Sequence, residues 1–443
     1  MWPNFKLLKA TLTGALGGLL FGFDTVVIAG IIDSVVRAYH LSDYDKGLTV
    51  AMAPIGTVIG CFAAGTVGQR IGSRTALRYA ATVYLLSAVC SALAVGWPML
   101  LLTRVIGGVG MGAASVLGPV YITELSPARW RGRLVGTFQF NVVLGILVGY
   151  TSNYLVRLAH LGSYEWRAMV GVATVPSAFF LMALFHIPRS PRWSASRNQI
   201  DEAIAVLTEV GSLNPWEELA NIQAAINSDH ASAHEPLLQW KYRYPLFLAI
   251  SIGAFNQLAG INAILYYMPS VFRAAGFTQL SGDLQAIAIG ATNLVFTLVG
   301  MACIDRFGRK SLLILGATGT AACLATVARL FMKQSRLNLL LPVLILYVAF
   351  FALSQGAVIW VYISEVFPTP VRSKGQGAGN ASHWITNTII AFSFPVIANR
   401  FGAGTPFAFF AGATLLQLIV VMFFYPETKG QTLEQLQQRL VSA

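Results

Sequence analysis

The sequence predicts an all-α membrane protein with about twelve transmembrane helices. Only 11% of its 443 residues are charged and 56% are hydrophobic, whereas soluble proteins average about 25% charged residues. Apolar runs of about 20 residues, the length that crosses a bilayer as a helix, recur along almost the whole chain. The predicted spans are 10–32, 47–68, 76–96, 99–121, 134–156, 167–187, 245–268, 284–304, 311–331, 340–362, 376–397 and 406–425.

The distribution of basic residues predicts the orientation of these spans. With a cytoplasmic N-terminus, 20 of the 30 lysines and arginines fall in cytoplasmic loops and nine fall on the other side. This asymmetry follows the positive-inside rule, so both termini are predicted to be cytoplasmic. The net charge of +12 therefore reflects topology. A nucleic-acid partner is not expected, because the basic residues form no single patch interleaved with aromatic residues.

The sequence also argues against an enzyme or a metalloprotein. Its four cysteines lie in or beside apolar spans, without the spacing of a zinc or disulfide framework. Its six histidines are scattered, and no pairing of a nucleophile with a base is present. We therefore expect no metal, no cofactor and no catalytic residues.

Two repeated motifs indicate an internal duplication. The segment 121–125, Tyr-Ile-Thr-Glu-Leu, returns at 362–366 as Tyr-Ile-Ser-Glu-Val, and 69–74 returns at 305–310 with nearly the same offset. Each copy holds six predicted spans, so the architecture is two pseudo-symmetric six-helix bundles. Such halves place a substrate site at their interface near the bilayer midplane.

The duplication sets the predicted boundaries. These are an N-terminal bundle at 1–187, an intracellular helical linker at 188–243, a C-terminal bundle at 244–428 and a cytoplasmic tail at 429–443. In the linker, apolar residues at helical spacing predict short amphipathic helices. These helices would be either a latch between the bundles or simply a folded connection.

Asp24 lies in the middle of the first predicted span, where an ionised carboxylate is costly unless it is paired or reaches water. Arg104, near the start of the fourth span, is the one basic residue placed within a span, and we pair the two. Protonation of Asp24 would release Arg104 and create a two-state element that couples a proton to a substrate. The alternative is a static ion pair that only sets helix packing.

Charged residues at the predicted cytoplasmic helix ends form a second group, in the repeated motifs. We expect them either to bridge the two halves as a cytoplasmic gate, which substrate must open, or to form solvated loops with weak ion pairs. The gate candidates are Arg70, Arg74, Glu124, Arg131, Asp305, Arg306, Lys310, Glu365 and Arg372.

Polar amides inside apolar spans form a third group. Amides supply both donors and acceptors, as the hydroxyls of a neutral polyol require, but they also join membrane helices to each other. Trp360 and Trp384 offer flat faces for a sugar ring. The polar candidates are Gln139, Asn256, Gln257, Asn262, Asn293, Asn387 and the imidazole of His383.

These motifs resemble those of the sugar porter family of the major facilitator superfamily, and the likeness covers nearly the whole chain. Its markers are the segments 17–24, 69–74, 131–132, 188–193, 257–262, 305–310 and 426–430. The resemblance implies the major facilitator fold and alternating access, with monosaccharides the usual cargo. It also implies that Asp24 and Arg104 match the pair of proton-driven members. The sugar-contacting positions of the family fall on the candidates above, and also on Tyr266.

Several positions depart from the family pattern. Asn256 stands where glutamine is common, His383 where an amide is common, and Ile146 where some pentose-accepting members have glutamine. In the tenth span, Ala357 stands where a proline is expected after the glycine. Arg189 replaces the usual glutamate of the sixth-span motif, and Gln69 replaces a frequent aspartate.

The sequence thus predicts a proton-coupled transporter of a small neutral sugar, such as a hexose-like monosaccharide, in the plasma (inner) membrane. Its partners would be the sugar, the proton and the lipid bilayer, and it would work as a monomer. One alternative is a passive facilitator in which Asp24 only packs. Another is a transporter-like sugar sensor. Such sensors usually carry a signalling extension, and here about fifteen residues follow the last span, so a sensor is the less favoured alternative.

Overall fold

The computed structural model of the chain describes residues 4–127, 130–232, 235–368, 371–429 and 440, and all regular secondary structure in these ranges is helical. The helices of the N-terminal half and linker are α1 (Phe5–Tyr39), α2 (Asp43–Ile71), α3 (Ser73–Ala92), α4 (Trp97–Leu125), α5 (Arg131–Leu158), α6 (Glu165–Val172), α7 (Thr174–Ala183), α8 (Pro191–Ser196), α9 (Ile200–Glu209) and α10 (Pro215–Ser232). Those of the C-terminal half are α11 (Arg243–Leu258), α12 (Ile261–Ala274), α13 (Gln279–Phe307), α14 (Arg309–Lys333), α15 (Leu340–Leu353), α16 (Gln355–Glu365), α17 (Arg372–Phe401) and α18 (Thr405–Phe424). Short 3₁₀ turns lie at Gly162–Tyr164, Leu184–His186, Trp240–Tyr242 and Leu337–Leu339.

The helices account for the twelve predicted spans. Ten helical segments in the described residues are long and apolar enough to cross a membrane. The two other predicted spans, 76–96 and 376–397, fall on α3 and α17. The sixth, seventh and tenth spans each consist of two helices in succession, namely α6 with α7, α11 with α12, and α15 with α16.

The break in the tenth span does not need a proline. It lies at Ser354, whose φ of −117° and ψ of −87° are not helical. The Ser354 hydroxyl donates a hydrogen bond of 2.6 Å to the Phe350 carbonyl, and a Cβ on Gly316 of α14 would meet that hydroxyl at 1.7 Å. The close approach of α14 therefore accompanies the break, three residues before the alanine at position 357.

Glycines allow α1 and α5 to pack backbone against backbone. A Cβ on Gly22 would lie 1.8 Å from the Val142 carbonyl oxygen, and one on Gly145 would lie 2.1 Å from that of Leu19. Neither position tolerates a side chain, so Gly22 and Gly145 serve helix packing. This packing fixes the part of α1 that carries Asp24.

The linker helices form a small apolar core of their own. Buried Ala195, Ala203, Leu207 and Leu219 pack together across α8, α9 and α10. At the end of the linker, hydrogen bonds from Lys241 and Tyr242 lower the pKa of Glu235.

The chain divides into two compact units that do not coincide with the predicted halves. The first contains the described residues up to Asp24, together with Ile55–Gly149 and the stretch from Trp166 through the linker. The second contains Thr25–Pro54, Tyr150–Glu165 and the described residues from Glu235 onward. Parts of α1, α2 and α5 therefore belong to the same compact unit as the C-terminal helices.

Candidate functional site

The first unit contains a buried ion pair between α1 and α4. Arg104 Nη1 and Nη2 lie 3.4 and 3.3 Å from Asp24 Oδ1 and Oδ2. Asp24 is 9% exposed and Arg104 is 6% exposed. Both distances exceed those usual for a guanidinium–carboxylate pair, about 2.7–2.9 Å. The two charges are therefore matched in position but loosely held.

Tyr84 is a third member of this site. Its hydroxyl donates a hydrogen bond of 3.2 Å to Asp24 Oδ1, and the ring is buried. Among the described residues, Arg104 Nε has no hydrogen-bond partner, so the guanidinium is only partly satisfied. Sequence reasoning missed Tyr84, although the buried face of α3 is otherwise made mostly of alanine and serine and a lone tyrosine there was a usable signal.

The second unit contains a buried polar cluster on α11 and α17. Gln257 Nε2 lies 2.9 Å from His383 Nε2 and 3.4 Å from Asn256 Oδ1. The Trp360 ring lies 5.1 Å from the His383 ring, and Trp384 meets the imidazole edge to face at 4.8 Å. Trp360 is 41% exposed while the other four side chains are buried. Amide groups and an accessible indole face thus lie side by side.

The other polar candidates are arranged separately. Asn387 Nδ2 donates to the Tyr266 hydroxyl at 3.0 Å, and Asn387 Oδ1 is buried without a partner in the described residues. Asn293 accepts from Thr297 Oγ1 at 3.4 Å, one turn along α13. Asn262 lies on α12 just after the break at Gly260, whose φ is +84°.

Gln139 differs from the other polar candidates in its place in the fold. It lies half-buried on α5, in the first compact unit.

Gln355 is a polar residue of the tenth span that sequence reasoning passed over. It is the first residue of α16, immediately after the break at Ser354, and its carbonyl oxygen accepts from Asn256 Nδ2 at 3.4 Å. Both amide atoms of its side chain are buried without a hydrogen-bond partner in the described part of the chain. An amide directly before a glycine inside an apolar span was the signal available.

In the N-terminal half, the gate candidates contact partners of the same half or of the linker. Ser73 Oγ donates to Glu124 Oε2 at 2.8 Å, and Arg74 donates to the Ile187 carbonyl at 3.0 Å. The carbonyl of Arg70 accepts from Arg197 of the linker at 2.8 Å. Arg131 lies with Glu124 on the wall of a cavity of about 610 Å³ beside the linker helices.

In the C-terminal half, the corresponding residues also contact neighbours of their own half. Arg309 Nη2 donates to Glu365 Oε1 at 2.9 Å. Lys310 and Arg372 reach the backbone carbonyls of Met422 and Phe367, and the carbonyl of Arg306 accepts from Lys429. The side chain of Asp305 lies outside the described part of the structure. Bridges from one half to the other remain a prediction.

Comparisons with known proteins identify the family of the chain. The profile of the family described as "Sugar (and other) transporter" matches residues 10–440. The arabinose-proton symporter of Bacillus subtilis is 35% identical over 98% of this chain and 95% of its own length. The D-xylose-proton symporter of Escherichia coli K12 is 34% identical over 97% of this chain and 95% of its own.

A solved structure gives the same result for the fold. The xylose transporter from E. coli, in a partially occluded inward-open conformation, matches with a TM-score of 0.87 and 32% identity over 97% of this chain and all of that one. The chain therefore has the twelve-helix fold of the major facilitator transporters. It belongs to the sugar (and other) transporter family, whose members are transporters and not enzymes.

Proposed function

We propose that this protein is a proton-coupled sugar symporter of the plasma membrane, with a monosaccharide as its substrate. The observation that carries the proposal is the buried pair of Asp24 and Arg104, joined by Tyr84. Ionisable groups in the membrane are costly and are retained for function. The names of the two relatives, an arabinose-proton and a xylose-proton symporter, support the same activity.

The ion pair provides the coupling element. While Asp24 is ionised, the carboxylate holds Arg104 by two long contacts and accepts one hydrogen bond from Tyr84. A proton on this carboxyl group cancels its charge, so the attraction to the guanidinium is lost and Arg104 must find other partners. A proton thereby changes the relative free energy of two arrangements of α1 and α4, which is what coupling requires. No group other than the proton is needed.

The polar cluster provides the sugar site. The amides of Asn256 and Gln257 have donors and acceptors within one short stretch of α11, and Asn387 has an unused acceptor. Sugar hydroxyls need both kinds of partner, and the exposed Trp360 ring fits the apolar face of a pyranose. We assign Gln139, Asn256, Gln257, Asn262, Tyr266, Asn293, Trp360, His383, Trp384 and Asn387 to sugar binding. Binding by amides, without a charged contact, suits a neutral monosaccharide.

We also propose the orientation and the state of the protein. Both termini face the cytoplasm, as the basic loops indicate. The protein works as a monomer embedded in the lipid bilayer. The charged residues at the inner helix ends act as a cytoplasmic gate, and the linker helices lie against that face.

The decisive experiment is transport in proteoliposomes with an imposed proton gradient, using D-xylose and L-arabinose as probes. Vesicles with wild type are expected to accumulate at least one of these sugars. The accumulated sugar should leak out again when a protonophore removes the proton gradient. In Asp24→Asn, the ratio of internal to external sugar should fall to about one, because an uncoupled carrier only equilibrates its ligand. Sugar exchange with no gradient should remain.

Two further variants make this test specific. Asp45→Asn removes a carboxylate at the start of α2, where Asp45 caps its own helix through Ser42, and should accumulate sugar like wild type. Tyr84→Phe keeps both buried charges and removes one hydrogen bond, so its defect should be smaller than that of Asp24→Asn. Accumulation by Asp24→Asn would instead exclude coupling through this acid. Exchange with no response to the gradient in wild type would identify a passive facilitator.

A further inference from the structure

We propose that two ion-pair clusters, centred on Arg157 and Asp33, lock the outer gate of this transporter, and that both must open before sugar can enter from outside. The outer ends are the helix ends away from the basic loops. This inference rests on the proposed function, since it assigns a gating role within that transport cycle. The two clusters lie wholly within the second compact unit.

The first cluster surrounds the guanidinium of Arg157, at the end of α5. Its Nη1 lies 2.8 Å from Glu165 Oε1, its Nη2 donates to the Gly30 carbonyl of α1 at 3.1 Å, and its Nε is bonded to Asp283 of α13. Arg157 is 8% exposed and Asp283 is 3% exposed. All three nitrogens of the guanidinium are therefore occupied, by partners on three different segments.

The second cluster surrounds the carboxylate of Asp33 on α1. Lys46 Nζ of α2 lies 3.1 Å from Asp33 Oδ1, and Ser270 Oγ of α12 donates to Oδ2 at 2.9 Å. Arg273 of α12 also bonds to Oδ2. Asp33 thus accepts from one residue of its own half and two residues of the other half.

Both clusters connect helices of the duplicated halves. Arg157 and Asp33 lie on α5 and α1 of the N-terminal half, whereas Asp283 and Arg273 lie on α13 and α12 of the C-terminal half. The surrounding contacts are equally close. The Tyr150 hydroxyl donates to the Leu265 carbonyl at 2.7 Å. A Cβ on Gly47 would lie 2.1 Å from the Phe392 carbonyl oxygen, so α2 and α17 touch through their backbones.

Alternating access requires these contacts to be temporary. For an outer path to open at the boundary of the halves, α1 and α5 must separate from α12 and α13. That separation breaks the bonds of Asp283 and Arg273 to the N-terminal half. Because a buried charge without a partner is unfavourable, the closed arrangement is favoured until the released groups reach water. The clusters therefore set how often the outer side opens.

Helix α1 links this lock to the coupling site. Asp24 and Asp33 are on the same continuous helix, Phe5–Tyr39, about two and a half turns apart. Gly30, whose carbonyl binds Arg157, lies between them. A displacement of α1 that follows a change at Asp24 therefore acts directly on both clusters. In this proposal α1 connects protonation with outer opening.

The lock is tested by measuring the separation of the outer helix ends in the full-length protein. The four native cysteines are replaced by alanine or serine, and spin labels are placed at positions 158 and 280. Leu158 ends α5 and Leu280 lies in the first turn of α13, and both side chains are exposed. Distance distributions by double electron–electron resonance are recorded for the labelled parent, Asp283→Asn, Asp33→Asn and Asp45→Asn.

The variants differ in whether they touch the proposed lock. Asp283→Asn and Asp33→Asn should each raise the fraction of molecules with a longer distance by roughly threefold to tenfold, an ordinary size for a shift between two conformations. Asp45→Asn removes a carboxylate of the same helix end region without removing a contact between halves, so its distribution should match the parent. Unchanged distributions in both lock variants would overturn the proposal.

Two controls keep the result interpretable. A cooperative thermal unfolding transition of each variant, measured without sugar, shows that it is folded. Asp33 is less buried than Asp283, so Asp33→Asn carries the test if Asp283→Asn does not fold. The distances are measured without sugar or a proton gradient. If the lock variants shift the distance but wild type accumulates no sugar, the proposed function is rejected and the lock is kept. If wild type accumulates sugar but the lock variants leave the distance unchanged, the lock is rejected and the proposed function is kept.

Discussion

The two copies of the duplicated sequence keep the same backbone contact at their inner ends but use opposite charges to support it. In the first copy the Tyr121 hydroxyl donates to the Pro188 carbonyl at 2.8 Å, and in the second the Tyr362 hydroxyl donates to the Pro426 carbonyl at 3.2 Å. The glutamate that follows three residues later has a hydroxyl partner, Ser73, in the first copy. In the second copy it has the guanidinium of Arg309, which occupies the position matching Ser73.

The charge is reversed between the copies one residue after each of these prolines. Glu427 of the second copy accepts from the backbone amides of Arg309 and Lys310 at 2.9 and 3.0 Å, so a carboxylate binds the N-terminus of α14. The first copy has Arg189 at that place, and its guanidinium lies 3.5 Å from Glu202 of the linker. No carboxylate is therefore supplied by this position to the N-terminus of α3.

Both copies place a cation near a helix C-terminus, since Lys310, which matches Arg74, donates to the Met422 carbonyl at 2.9 Å. Arg74 donates to the Ile187 carbonyl at 3.0 Å, and Arg78 donates to the Leu184 carbonyl at 3.0 and 3.1 Å. Cations are favoured at helix C-termini just as anions are favoured at N-termini. The copies therefore differ in the charge that follows the proline, a carboxylate at Glu427 on the N-terminus of α14 and a guanidinium at Arg189. The second copy additionally has an ion pair, so we expect it to be the more tightly held.

The largest effect is expected from Arg309→Ser, which gives the second copy the residue of the first. Glu365 would lose its guanidinium and keep the Thr428 hydroxyl, which donates at 2.6 Å. Hydrogen bonds to charged groups contribute roughly 1.5–3 kcal/mol, so a loss of about 2 kcal/mol in stability should follow. Thermal unfolding in detergent measures it. A loss no larger than that of an exposed arginine, such as Arg336→Ser, would contradict the comparison.

A smaller loss is expected from Glu427→Gln, which keeps the shape of the side chain and removes its charge. The amide oxygen can still accept one hydrogen bond at the start of α14, but the charge–dipole attraction disappears. The expected cost is about 1 kcal/mol, seen in the same unfolding experiment and reduced by high salt. Arg189→Gln is the matched variant of the first copy and should cost less, because its ion pair is long and more exposed. Equal losses would remove the distinction between the copies.

The helical framework of both copies could be predicted from the sequence, but the partners of individual charges could not. Long apolar runs are sufficient to place spans, because hydrocarbon leaves a chain few alternatives to helices. The pairing of Arg157 with Asp283 joins residues 126 positions apart, and nothing in the local sequence around either residue indicates its partner. Tyr84 was missed for a similar reason, since its partner lies 60 positions away.

The inner charges have contacts that the repeat did not indicate. Recurrence of glutamate and arginine in both copies predicts bridges between halves, whereas the contacts of Glu124 and Glu365 in the described residues run within their own halves. A residue that recurs in both copies can serve contacts within its own half as well as contacts with the other half. The position of the helix break at Ser354 could not be predicted from the sequence either, because the break accompanies the close approach of Gly316 on another helix.

Ser73→Ala tests the weaker contact of the first copy. This contact is one hydroxyl hydrogen bond without an ion pair, so its loss should cost about 1 kcal/mol, less than Arg309→Ser at the matching position of the second copy. Glu124 would retain a hydrogen bond to the Ser190 hydroxyl, which contacts it at the position matching Thr428. A loss as large as that of Arg309→Ser would show that the ion pair adds nothing to the second copy.

The smallest effect, and the one of opposite sign, is expected from Arg189→Glu, which gives the first copy the charge of the second. A carboxylate at this position would face the free amides at the start of α3, whose N-cap residue Gly72 offers no side chain. The gain should be about 0.3–1 kcal/mol, reduced by loss of the contact with Glu202. Arg189→Gln supplies the reference that lacks both charges. If Arg189→Glu is no more stable than Arg189→Gln, a carboxylate at this position contributes nothing in the first copy, and the residues of the two copies cannot be exchanged.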